Sequence, residues 1–196
     1  MPSRAIWQSV RNLLDSTNNL EQLWEEFDRI ECDDDDLRID FDSESIDKNT
    51  WVTLAREAYY AVRTRPSRNM RHTGWITLAI QLASEEDETS RWSHHKQSKV
   101  LVGYSVYPEP GGAWQFDSTS PDANGYCDEC ITDKYRWHHE DKSWFYAVPL
   151  DMLDSRDAVL NYIVGPTHAL IRDEDAETVL GPIRDNLCLP PQTSQV

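Results

Sequence analysis

The segments WITLAIQL at 75–82 and KVLVGYSVY at 99–107 decide the fold class. In the first, Ile76, Leu78, Ile80 and Leu82 alternate with Thr77, Ala79 and Gln81. In the second, Val100, Val102, Tyr104 and Val106 fall on alternate positions. A period of two places each set on one face of an extended strand. PEPGG at 108–112 is turn chemistry, so 113–118 is expected to return as a hairpin partner. WFYAV at 144–148 reads as a further strand. LRIDFD at 37–42 reads as a short edge strand carrying Leu37, Ile39 and Phe41 on one side.

Helical spacing surrounds these strands. Residues 3–15 align Ile6, Val10, Leu13 and Leu14, and residues 19–30 align Leu20, Leu23, Trp24, Phe27 and Ile30. With Asn18 and Glu21 resembling a capping box, the pair is expected to form a helical hairpin turning at 16–19. Residues 50–63 carry an apolar stripe of Trp51, Leu54, Ala55, Ala58, Tyr59 and Val62, which predicts a third helix ended by Pro66. Asp154 or Ser155 is placed to cap a helix through Ile163, stopped at Gly165 and Pro166. A strand over 169–172 and a short helix over 173–180 follow. The expected architecture is α+β: a mainly antiparallel sheet of four or five strands, covered on one face by N-terminal and C-terminal helices. Residues 1–190 are expected to form one domain. Within it lie a helical and acidic part (1–72), a β-rich part (73–150) and a C-terminal helical part (151–190). Residues 191–196 form a flexible tail.

The formal net charge is −16 over 196 residues. Such a chain is repelled by nucleic acid and by anionic membranes, so direct nucleic-acid binding is disfavoured and a basic protein partner is favoured. No run of about 18 apolar residues is present, and the N-terminus lacks a signal-peptide core. Four cysteines are too few for a disulfide scaffold, which points to a reducing cytoplasm. The charge is concentrated. Thirteen carboxylates lie in 21–47 against Arg29 and Arg38, a local balance of −11. Glu21, Glu25 and Asp28 share a helix face, and Asp33, Asp34, Asp35 and Asp36 follow in one run. Such a surface imitates the phosphate array of nucleic acid, though its spacing of about 6 Å per four residues is sparser than DNA. The arginines at 56, 63, 65, 68 and 71, with His72, are expected to pair with this block inside the molecule.

Cys127 and Cys130 form a CxxC turn, with His138 and His139 nearby. Two thiolates at that spacing meet one ion, and imidazoles complete a tetrahedral zinc site. His94 and His95, in the similar phrase RWSHHK, are further candidates. Asp128 and Glu129 raise the thiol pKa and oppose redox chemistry. The order of His138-x-Glu140 after the CxxC is the reverse of a zinc deaminase. No phosphate-binding glycine loop, G-x-S-x-G or H-E-x-x-H is present. Trp92 and Trp137 lie in polar stretches, where an exposed aromatic anchors a partner.

Two functions follow as expectations. The first is an acidic inhibitor of the immunity or anti-defence type. It occupies a basic nucleic-acid-binding or nuclease partner through Glu21, Glu25, Asp28, the 33–36 run, Trp92 and Trp137. The second is a zinc-binding protein or metal-dependent enzyme using Cys127, Cys130, His138 and His139.

Overall fold

The structure is a computed structural model that describes residues 4–41, 55–65, 68–82, 98–114, 116, 131–139 and 142–189. It is mixed helix and strand around an eight-stranded antiparallel sheet, not one of four or five strands. A long helix α1 (Arg4–Phe27) ends in a 3-10 turn at Asp28–Ile30. The strands are β1 (Cys32–Asp33), β2 (Leu37–Phe41), β3 (Ala55–Thr64), β4 (Arg71–Gln81), β5 (Lys99–Ser105), β6 (Ile131–Thr132), β7 (Trp137–His138) and β8 (Trp144–Pro149). Their order across the sheet is 1-2-3-4-5-8-7-6. The C-terminal helices are α2 (Arg156–Val159), α3 (Gly165–Ile171) and α4 (Ala176–Leu180).

Strands β2, β4, β5 and β8 match the alternation in the sequence. Strand β3 does not: the stretch expected as a helix is a central strand, paired with β2 on one side and β4 on the other. Ala58, Tyr60 and Val62 bury one face, while Glu57 and Ala61 are buried on the other. A strand covered on both sides lacks the polar alternation that marks a half-exposed one, and its Ala-Arg-Glu content imitates helix propensity. The two N-terminal helices are one helix. Residues 16–19 hold no glycine or proline, and three of the four are simply exposed. Residues 113, 114 and 116 form no strand. Instead Trp114 and Phe116 fold over the sheet.

Helix and strand side chains of one face share one core. Trp24, Phe27 and Ile30 meet Leu37, Ile39, Tyr60, Ile76, Val102 and Tyr146, with Val159, Ile163 and Leu170 from the C-terminal helices. The opposite face holds a smaller cluster of Leu101, Trp114, Phe116, Trp137, Phe145 and Cys188. Trp114 donates its indole N–H to the Tyr104 carbonyl at 2.8 Å and meets Phe145 edge-on at 4.8 Å between centroids.

The expected stop at Gly165 and Pro166 is overridden, and the expected strand over 169–172 is helical through Ile171. Ser155 does cap α2, accepting the Ala158 N–H at 3.2 Å. Between α2 and α3 lies a π turn, Leu160–Val164. Pro166 has no N–H to give the carbonyl four residues back, Tyr162. The buried Tyr146 hydroxyl lies 3.1 Å from the carbonyls of both Tyr162 and Ile163, and Thr167 donates to Ile163 at 2.6 Å. The side chains thus supply what proline removes, and the helix passes through. Tyr146→Phe is expected to lose about 1–3 kcal/mol, because buried carbonyls lose a donor. Denaturant unfolding at unchanged m-value checks it, and an unchanged midpoint refutes it.

Candidate functional site

The acidic residues singled out by sequence fall into two groups. Some are neutralised inside the chain. Arg172, just past α3, reaches Asp34 through Nη2 at 2.5 Å and Asp36 through Nε at 3.0 Å. Asp40 pairs with Arg63 and with Arg38, and Glu26 pairs with Arg29. The expected pairing between the arginine patch and the acidic block is therefore present at Arg63, and the Arg65 N–H also donates to the Asp36 carbonyl at 3.1 Å. Glu21 is partly buried and makes contacts within the chain.

The rest point to solvent. Glu25, Asp28, Asp33 and Asp35 are exposed. Partial desolvation, then the like charges of Glu31 and Glu25, push the Asp28 carboxyl above its ordinary range. Asp33 is held only loosely, 3.7 Å from Arg38. Among the described residues, Glu25, Asp28 and Asp35 have no ion-pair partner.

The Arg172 contact also does something the sequence did not suggest. It locks the β1–β2 turn beside the turn between α3 and α4, where Asp173, Glu174, Asp175 and Glu177 are all exposed. The His168 Nε2, 2.8 Å from the Ile30 carbonyl, ties the same two regions. The acidic run 33–36 and the acidic turn 173–177 are thereby joined through Arg172 into one ridge. The signal was legible as DEDAE at 173–177, but it resembles an ordinary helix start, and Asp175 does cap α4 by accepting the Thr178 N–H at 3.0 Å.

Arg172 holds the Asp36 carboxyl below the usual carboxylate range. A depressed carboxylate gives stability that is present above its unfolded pKa of about 3.9 and lost as pH falls through the lower folded value. Arg172→Ala is therefore expected to lower Tm by roughly 2–4 °C near neutral pH. The loss should shrink below pH 4 and at high salt, where wild type and variant converge. A Tm deficit that is constant across pH and salt contradicts the electrostatic clamp.

Beside the ridge lies a cleft of about 750 Å³ between the ends of β7 and β8 and the α3–α4 turn. His138 lines it, paired across the sheet with Trp144. His139 lines it too, its ring stacked on Trp114 at 4.8 Å between centroids. Cys127, Cys130, His94 and His95 lie outside the described residues, as does Trp92. Among the described residues no group of three His, Cys, Asp or Glu side chains is placed to hold a metal. Trp137, expected in a polar loop as an exposed anchor, is instead a strand residue only 7% exposed. It stacks on Phe145 with centroids 4.6 Å apart, and packing within the chain accounts for its ring. No helix among the described residues is long and apolar enough to cross a membrane.

No protein-family model, curated protein or solved structure matches the chain.

Proposed function

We propose that the protein is an acidic binding protein of the inhibitor type. It occupies a basic surface that would otherwise hold nucleic acid, on a nuclease or nucleic-acid-binding partner. One observation supports the reading above the rest: Arg172 clamps two sequence-distant acidic turns into one ridge. A solvated acidic loop needs no such clamp. Fixing Asp34 and Asp36 holds Asp33 and Asp35 between and beside them at reduced conformational cost, and preorganised charge gives fast, oriented association with a cationic surface.

The exposed carboxylates Glu25, Asp28, Asp33 and Asp35 are the contact residues in this reading. Asp34, Asp36 and Arg172 are the residues that position them. Titrating the protein against a panel of basic nucleases and nucleic-acid-binding proteins at low salt is the test. The expected outcome is a stoichiometric complex with at least one member that displaces its bound nucleic acid. Failure to displace nucleic acid from any of them removes the proposal.

A further inference from the structure

We propose that the cleft beside the ridge binds a short linear peptide of two or three residues through its free ammonium and carboxylate ends. This site shares Asp173, Glu174, Asp175 and Glu177 with the acidic surface but none of the contact residues Glu25, Asp28, Asp33 and Asp35. The cleft has walls of opposite charge. On the helix side stand Asp173, Glu174, Asp175 and Glu177, four carboxylates without a cation among them. On the sheet side stand Lys134, Arg136 and Lys142 with His138, against the single carboxylate of Asp133.

Several of these charges are already committed. Arg136 is held by Asp133 through Nε at 3.1 Å, Asp175 caps α4, and Lys142 meets Asp173 at 3.8 Å. Among the described residues, Lys134 on one wall and Glu174 and Glu177 on the other have no ion-pair partner. A ligand that satisfies both walls must carry both signs at its two ends.

Between the walls the lining turns apolar and aromatic, with Tyr104, Trp144, Leu170 and Ile171. Charged side chains make up as much of the lining as apolar ones, which suits a ligand that is itself charged, and the volume falls in the range of small-ligand pockets. Size then selects the ligand. A cleft of about 750 Å³ has room for two or three residues. A free amino acid separates its charges too little to reach both sides. Extended chain advances about 3.5 Å per residue, so two or three residues span roughly 7–10 Å.

The mouth has a matching feature. Lys142 and Asp173 are the two residues other than glycine with positive φ among those described, at 78° and 61°. Each is in a left-handed conformation, and the two form an ion pair between the walls. Both side chains are more than 70% exposed, so the pair is weak and yields easily to a competing ligand.

Calorimetric titration of the intact protein with Ala-Phe-Ala at low ionic strength tests the site. Saturable one-to-one binding is expected. N-acetylation and C-amidation should each weaken it roughly tenfold, the scale of one lost charge-assisted contact. In the Glu174→Gln, Glu177→Gln double variant the acetylation penalty should vanish while the amidation penalty persists. In Lys134→Gln the reverse is expected. All these positions are exposed, so the variants keep the fold. Converting Glu25, Asp28, Asp33 and Asp35 to their amides should leave peptide affinity unchanged, which separates this site from the ridge. No heat of binding at roughly 10 mM peptide, or equal binding of the doubly blocked peptide, overturns the proposal.

Discussion

Gly74→Ala is expected to cost about 3 kcal/mol or more and to lower Tm by roughly 10 °C. Gly74 pairs with Val62 on β3, where the register shifts between Val62 and Arg63. A Cβ added there would sit 2.1 Å from the Ser105 carbonyl oxygen on β5 and 2.8 Å from the Tyr104 ring. Neither obstacle can swing away. The carbonyl belongs to a paired strand, and the ring is fixed by its hydroxyl donating to the Thr73 carbonyl at 2.8 Å. Relief requires β4 and β5 to part at the bulge, which is where the cleft begins, since Thr73 and Tyr104 both line it. The variant should therefore lose stability and cleft integrity together. A variant as stable as wild type contradicts the packing described for this edge of the site.

The second large effect is read in alkali. Lys99 is fully buried on the face away from the helices, and burial pulls its pKa down to about 8 despite the help of the Cys188 thiolate. Cys188 is buried beside it, and burial pushes the thiol up to about 11. The two act in opposite senses. Between pH 8 and about 10.4 the unfolded chain keeps the lysine proton that the folded chain gives up, so Lys99 makes stability rise with pH. Between about 8.5 and 11 the unfolded chain loses the thiol proton that the folded chain keeps, so Cys188 makes stability fall. The two contributions oppose each other over this range. Lys99→Met should therefore expose a steep loss of stability from pH 8.5 to 10.5. Cys188→Ser should expose a rise over the same interval. Urea midpoints of the two variants measured across that range decide the matter. Parallel, flat profiles would mean that neither group is held as described.

How far the sequence could be read depends on what covers each element. Strands β4, β5 and β8 were legible because their alternation survives burial: Ile76, Leu78 and Ile80 against Thr77, Ala79 and Gln81 still differ in character. Strand β3 was not legible, because burial of Glu57 and Ala61 opposite Tyr60 and Val62 erased the contrast between its faces. The long α1 was divided at 16–19 because polar residues imitate a turn, although nothing there forbids a helix. The passage of α2 into α3 through Pro166 depends on the Tyr146 hydroxyl, donated from a strand sixteen residues earlier, and no local pattern encodes it.

The acidic block was the most legible feature of the candidate site, and it was half misread. The pairing of Asp40 with Arg63 was expected, but composition does not show that Arg172, far away in sequence, takes up Asp34 and Asp36. For the same reason the second half of the ridge, 173–177, was invisible as a surface: it lies far from 33–36 in sequence and joins it only through Arg172. The aromatic at 137 misled in the opposite direction. Its polar neighbours suggested a loop, but in a two-residue strand they simply occupy the adjacent positions.

The direct test of the ridge is the rate of association with a basic partner, followed by stopped flow as salt is raised. The protein carrying Glu25→Gln, Asp28→Asn, Asp33→Asn and Asp35→Asn keeps the Arg172 clamp and should keep the fold. Wild type is expected to associate fast at low salt and to slow steeply as ionic strength rises toward 1 M. The variant should start about tenfold or more slower and respond weakly to salt. Coincident salt profiles for the two proteins would contradict the account and leave the ridge a solvated surface.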